Sequence, residues 1–206
     1  MSRMASVDQI PSMQEKLRRA ALDLFSAHGF QSTSMRDLAS QLGIQPGSLY
    51  SHMRSKQDLL FELIEEALDD LVTESKYQIA KQKTFEGQLR KFVETYVCIR
   101  AAEWKSLALL DREAINLSVT QRERIKELQA GYVSCLRQLI ARHPQCRNLP
   151  QSLLHTLATC VIGMLGALPL QMEEVNPAAT HKLVQQVICF IHGAIIAAGA
   201  SPSLSH

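Results

Sequence analysis

The chain has 206 residues, 46% of them hydrophobic, and a formal net charge of +2. That is enough apolar material for one sizeable core, or for a small domain joined to a larger one, and it excludes a disordered or collagen-like chain. Charge is unevenly placed: seven Lys/Arg face four Asp/Glu in residues 1–56, whereas fifteen face sixteen in the remainder. So small a basic excess means that any non-specific hold on nucleic acid must sum the contacts of two copies and be salt-sensitive.

Strand signals are nearly absent and helical spacing recurs throughout, so the fold is expected to be all-α with about nine helices. Residues 1–11 read as a flexible N-terminal arm without the apolar run of a secretory signal. The first helix starts near Ser12, which forms a capping-box pattern with Glu15, and buries Leu17, Ala20, Ala21, Leu24 and Phe25 before Gly29 stops it. The second has Ser34 as N-cap with Asp37 three residues on, and Met35, Leu38, Ala39 and Leu42 recur on one face. Gly43 suits a left-handed C′ position, and Pro46 suits the first turn of a third helix of about two turns with Leu49 and Met53 inward.

That third helix shows Gln45, Gly47, Ser48, Tyr50, Ser51 and His52 outward, groups that exchange hydrogen bonds or let backbone approach closely. Residues 34–53 therefore read as a helix-turn-helix within a DNA-binding domain of residues 12–56. Ser55 and Asp58 cap a fourth helix running to about Tyr77, and Lys56 in its first turn lies where free N–H groups favour a phosphate. Leu59, Leu60, Leu63, Ile64, Ala67, Leu68 and Leu71 face inward, leaving an acidic outer face that reads as solvated.

Residues 57–206 are expected to form a helical effector-binding and dimerisation domain. Three helical segments follow between about Thr84 and His143, and HPQCRNLP, residues 143–150, is the clearest linker. His143 and Cys146 are too few to hold a metal, so neither metal nor cofactor is expected. Cysteines 98, 135, 146, 160 and 189 are odd in number and mostly embedded in helical patterns, which fits a reduced cytoplasm. The last two segments, 153–170 and 183–200, are apolar nearly all round and rich in small residues. A membrane span, a core hairpin and a dimer interface compete there. The first run reaches the ~18 uncharged residues of a span, but His155, Pro169 and the shortness of the second weaken that reading.

In order and spacing, Gly29-Phe30, Thr33-Ser34-Met35-Arg36-Asp37-Leu38-Ala39, Gly43-Ile44, Gly47-Ser48-Leu49-Tyr50-Ser51-His52 and Ser55-Lys56-Gln57-Asp58-Leu59-Leu60 closely resemble the DNA-binding domain of the tetracycline-repressor (TetR) family of bacterial transcriptional regulators. The likeness covers roughly the first quarter to third of the chain. It implies that Thr33, Tyr50, His52 and Lys56 touch the DNA backbone, that Gln45, Pro46, Gly47 and Ser51 lie where base edges are read, and that Ser34, Arg36 and Ser48 complete the DNA-binding set. Two departures stand out: Met53 replaces a usual phenylalanine, a change of core shape, and Pro46 replaces a usual cationic or hydroxyl residue and so removes a possible contact.

The resemblance further implies a homodimer through the last two helices, an inverted-repeat operator, and release by a small molecule bound among the middle helices. Candidate pocket residues are Phe92, Tyr96, Trp104, Leu107, Leu110, Tyr132 and Met164, with Arg100, Arg112 or His155 as polar anchors, and their apolar bias points to a lipophilic or amphipathic effector. Residues 103–128 resemble the middle helices of regulators of fatty-acid and steroid breakdown, which adds acyl-CoA thioesters as an alternative ligand class. An enzyme is not expected, since no H-E-x-x-H pair, phosphate-binding Gly loop or nucleophile elbow occurs. The rival reading is a helical lipid-binding or interaction protein without specific DNA binding.

Overall fold

A computed structural model describes residues 11–168 and 177–200. Nine α-helices occur among them: α1 (Met13–His28), α2 (Met35–Leu42), α3 (Pro46–Leu49), α4 (Lys56–Ala80), α5 (Phe85–Ala102), α6 (Trp104–Glu113), α7 (Val119–Ile140), α8 (Gln151–Gly166) and α9 (Pro177–Ala200). No strand occurs among the described residues, as the periodicity predicts. The expected N-terminal arm falls, except for Pro11, outside the described residues.

Local signals position the first helices. The Ser12 hydroxyl accepts from the Glu15 N–H while the Glu15 carboxylate reaches back to the Ser12 N–H, and Ser34 and Asp37 repeat the arrangement at α2. Two otherwise orphaned donors are satisfied at each start. Gly29 ends α1 with φ +84° and Gly43 ends α2 in the left-handed region with φ +67°. Helix α3 is shorter than the expected two turns: it is α-helical only over Pro46–Leu49, and the His52 N–H then closes onto the Leu49 carbonyl three residues back at 2.8 Å. Tyr50–His52 form a turn rather than more helix.

The chain divides into two compact units that do not follow the linear boundary expected at residue 56. Unit 1 takes the chain up to Glu65 together with Lys105–Arg122, and unit 2 takes Glu66–Trp104 and the chain from Glu123 onward. In unit 1, Leu17, Ala21, Phe25, Leu38, Leu49 and Leu60 are almost wholly buried, and Phe25 meets Phe30 edge to face with ring centres 5.4 Å apart. Each large apolar side chain so buried contributes about 1.5–3 kcal/mol. Segment 105–122 joins this unit because its polar side chains bond to it, a long-range effect that periodicity does not register.

Unit 2 has one apolar cluster, to which α4 brings Leu71 and Val72, α5 brings Leu89 and Phe92, α7 brings Tyr132 and Leu136, and α8 and α9 bring Leu154, Val161, Val184 and Ile191. The expected linker at 143–150 contains a 3-10 turn, Pro144–Cys146, against which the end of α9 packs so closely that a Cβ on Gly199 would lie 2.8 Å from the Gln145 carbonyl oxygen. Helix α9 begins at Pro177, six residues before the apolar run, because a proline at the first helical position followed by two alanines starts a helix without any apolar stripe. The expected 153–170 helix runs over Gln151–Gly166, and residues 169–170 lie outside the described part. No group of three or more ligating His, Cys, Asp or Glu side chains forms among the described residues.

A Cβ at position 43 would meet nothing within 4 Å, so the demand for glycine there is conformational alone. Gly43→Ala is expected to destabilise the protein by about 1 kcal/mol and Gly43→Asn by less, measured by thermal denaturation.

Candidate nucleic-acid interface

The turn between α1 and α2 exposes backbone groups that no helix satisfies, and side chains from three places complete them. The Thr33 hydroxyl donates to the Gly29 carbonyl at 2.9 Å, Lys56 Nζ donates to the Phe30 and Thr33 carbonyls at 2.8 and 2.7 Å, and the Phe30 N–H donates to Glu113 Oε1 at 3.3 Å. Lys56 Nζ also lies 4.3 Å from the centre of the Phe30 ring, and burial lowers the pKa of its ammonium. The second Glu113 oxygen accepts from Asn116 Nδ2 at 2.8 Å, while Asn116 accepts through its carbonyl from Gln57 and through its side chain from Gln31. Gln121 reaches Asp58 at 2.9 Å, Arg112 donates to the Ser26 carbonyl, and Lys105 pairs with Asp23. Polar groups from α6, the following turn and the start of α7 thus bond to the segments on either side of the helix-turn-helix.

Two residues expected to touch DNA are therefore turned to structural use. Thr33 is 2% exposed with its hydroxyl engaged, and the Lys56 ammonium is committed to two carbonyls of its own chain. Ser34 is exposed, but its hydroxyl serves the α2 cap, where its O–H and N–H hold the Asp37 carboxyl below the usual carboxylate range. The remaining candidates lie on or beside α2 and α3. Arg36, Gln45, Gly47, Ser48, Tyr50, Ser51 and His52 are all exposed, Tyr50 at 63%, and Pro46 is half-buried beneath them. Ser51 donates to the Ser48 carbonyl at 2.7 Å, whereas the side chains of Arg36, Gln45, Tyr50 and His52 have no partner among the described residues. Leu49, at 0% exposure, anchors this face from below. Gly47 has no positive φ, and a Cβ there would meet nothing, so nothing inside the chain calls for a glycine at that position. What it offers is close approach of backbone to something outside.

Two family models match the chain: bacterial regulatory proteins of the tetR family over residues 17–63, and the tetracyclin repressor-like C-terminal domain over residues 82–170. This chain belongs to the tetR family. It is a DNA-binding transcriptional regulator of that family. A fatty acid metabolism regulator protein of Bacillus subtilis is 20% identical over 65% of this chain and 69% of its own length. The transcriptional repressor KstR2 of Rhodococcus jostii is 30% identical, with the match spanning half of each chain. Among solved structures, AibR, in complex with isovaleryl coenzyme A and operator DNA, has the same fold with a TM-score of 0.69, 17% identity, and 85% of this chain and 97% of its own covered.

Of the expected effector-site residues, unit 2 brings together Phe92, Tyr96, Tyr132 and Met164 in or against its apolar cluster. The Tyr132 ring stacks on Phe92 with centres 4.9 Å apart and on Tyr96 at 6.4 Å. Burial pushes the Tyr132 phenol well above its ordinary pKa, a hydrogen bond with the Ser75 hydroxyl acting the other way. Arg100 is half-buried, while Trp104 and His155 are exposed. Leu107, Leu110 and Arg112 belong to unit 1, where Arg112 donates to the Ser26 carbonyl. Sequence reasoning missed Ser75, Glu113 and Asn116. A signal existed for Ser75, which stands midway between Leu71 and Ile79 on the inward stripe of α4, and for Glu113, which continues the buried Ser106 and Leu109 at helical spacing.

Glu113→Ala leaves the Phe30 N–H and the Asn116 amide without their acceptor and is expected to cost about 1–3 kcal/mol in calorimetric unfolding, with Glu113→Gln costing less. Because the folded pKa of Asp37 is depressed, its contribution is present above the usual carboxylate range and is lost as pH falls through the depressed value. The gap in melting temperature between wild type and Asp37→Asn should accordingly close on acidification.

Proposed function

We propose that the chain is a cytoplasmic repressor that binds an inverted-repeat operator as a homodimer and releases it when a lipophilic or amphipathic small molecule occupies unit 2. One observation carries the operator reading: exposed polar groups on either side of Gly47, of which the Gln45, Tyr50 and His52 side chains have no partner among the described residues. Tyr50, His52 and Arg36 take phosphates in this reading, while Gln45, Ser51 and the backbone at Gly47 approach base edges. With Lys56 turned inward, its place at the phosphates falls to the N-terminal backbone of α4. So short a helix makes few base contacts, and a twofold pair of heads doubles them.

The second copy is supported by the outer faces of α8 and α9. Phe190 is 67% and Ile196 52% exposed, and Gly163 and Gly193 have nothing near the place of a Cβ, so small and large apolar positions alternate as closely packed helices require. Helix α9 is also long and apolar enough to cross a membrane, with only 28% of its span buried. A second copy covering that face is the reading we adopt. For the effector, the apolar cluster around Phe92 and Tyr132 supports a lipophilic chain, and the relatives named for fatty-acid metabolism and solved with isovaleryl coenzyme A support acyl-CoA thioesters as its class. Release follows if the ligand binds more tightly to the state that does not hold DNA, with a coupling on the order of 1–3 kcal/mol.

Gly47→Ala should leave stability unchanged or raise it by up to about 1 kcal/mol while weakening retention of the chain's own promoter region in gel shifts. Arg36→Ala should weaken binding to all sequences alike and lower the salt slope by about 1 for each phosphate the arginine neutralises. No preference for promoter over random DNA would instead favour a helical lipid-binding protein. Phe190→Glu should yield monomers by sedimentation without detergent and abolish the operator complex, and a wild type that sediments as a monomer would count against the dimer.

A further inference from the structure

Charge from α4 onward is sorted along the chain. Residues 57–74 carry seven Asp/Glu and no Lys/Arg, whereas residues 76–90 and 137–147 together carry seven Lys/Arg against Glu86 alone. The two basic stretches meet within unit 2. There the end of α4, the start of α5 and the end of α7 border a cleft of about 200 Å³, lined by Lys76, Ile79, Gln88, Cys135, Leu139 and Arg142 among others.

Neither cation of the cleft is neutralised. Lys76 and Arg142 meet no carboxylate among the described residues, and the Arg142 side chain reaches only the Gln88 amide oxygen, at 3.4 Å. That amide is itself tied, because its nitrogen donates to the Gln82 carbonyl at 3.0 Å. Gln88 thus steadies the guanidinium without cancelling its charge. Two cations lining one cleft, one from α4 and one from just beyond α7, raise each other's energy until an anion joins them. Ile79 and Leu139 are buried and bring only apolar surface, so the charge recognition falls to Lys76 and Arg142. The cleft is smaller than the roughly 300–1,000 Å³ of a pocket that takes a whole drug-sized molecule, and it suits one compact group.

We propose that this cleft is a phosphate-binding site, in which Lys76 and Arg142 together hold the phosphate or pyrophosphate group of a small phosphorylated ligand. The site uses residues other than the Phe92 and Tyr132 cluster and does not depend on the effector reading above. A terminal phosphate has three acceptor oxygens and a charge near −2, enough for a guanidinium fork and an ammonium at once. A carboxylate has two oxygens and one charge. Paired with the fork, it leaves the ammonium short of a partner.

The test titrates inorganic pyrophosphate, orthophosphate, acetate and coenzyme A into the full chain by calorimetry at physiological salt. Pyrophosphate should bind at one site per chain, more tightly than orthophosphate, and acetate should not bind. Lys76→Ala and Arg142→Ala should each weaken pyrophosphate about tenfold. Both residues are exposed, so the melting temperature should not change. Lys83→Ala removes a cation of the same basic stretch that does not line the cleft, and it should weaken binding by less than about twofold. A local readout is the half-exposed Cys135 thiol: pyrophosphate should slow its alkylation by iodoacetamide while leaving the exposed Cys98 unchanged, as read by peptide mass spectrometry. Coenzyme A binding above pyrophosphate with the same dependence on Lys76 and Arg142 would support the site and mark a nucleotide-borne group as its source, and binding below it would mark a free phosphate anion. The proposal is overturned if pyrophosphate does not bind, if acetate binds as well, if Lys83→Ala weakens binding as much as Lys76→Ala, or if Cys135 is not protected.

Discussion

A turn that must be rigid yet has no helix to hold it is the constraint on which the DNA-reading end depends. Between Phe25 and Thr33 the chain reverses through a glycine at positive φ, and its carbonyls and N–H groups would be left unpaired next to a close-packed core. Such groups must find partners. They find them in Thr33, Lys56 and Glu113, side chains from the turn itself, the start of α4 and the end of α6. The angle of α2 and α3 on the body of unit 1 is thereby set by hydrogen bonds with defined directions. Apolar contacts alone would define it less sharply, because burial is indifferent to small rotations.

This arrangement explains why the surface residues of α3 can be left without partners. Leu38 and Leu49 anchor the two short helices to the core, and the clamp fixes the turn, so Gln45, Tyr50 and His52 contribute nothing to holding the fold.

How much of this is legible in the sequence depends on the distance over which each residue acts. The capping pairs Ser12 with Glu15 and Ser34 with Asp37 act within one turn, and the apolar stripe of α4 recurs at three and four residues, so both can be read directly. Glu113 acts across 83 residues on Phe30, and nothing in its neighbourhood marks that partner. The same holds for Lys56, whose place in the first turn of a helix suggests a phosphate until the carbonyls of Phe30 and Thr33 are seen beside it. Thr33 reads as a polar loop residue although its hydroxyl is drawn inward by a carbonyl four residues back. Exposure was thus legible where the side chains point at water, and the inward turn of Thr33 and Lys56 was not, because backbone carbonyls direct it. In the candidate effector-site set, the aromatic members Phe92, Tyr96 and Tyr132 gather as their helical spacing implies, while Arg112 donates to the Ser26 carbonyl, a contact that spacing cannot express.

The inward turn of Lys56 reaches beyond architecture. A head that commits two of this ammonium's N–H donors to its own carbonyls has fewer directed bonds to offer a phosphate, and the basic surplus of residues 1–56 is small to begin with. Under the operator reading proposed above, the consequence is a weaker hold on random sequence, with shorter sliding excursions along the duplex. A regulator of that kind depends on repeated three-dimensional encounters, so copy number more than long-range attraction governs how quickly its site is refilled.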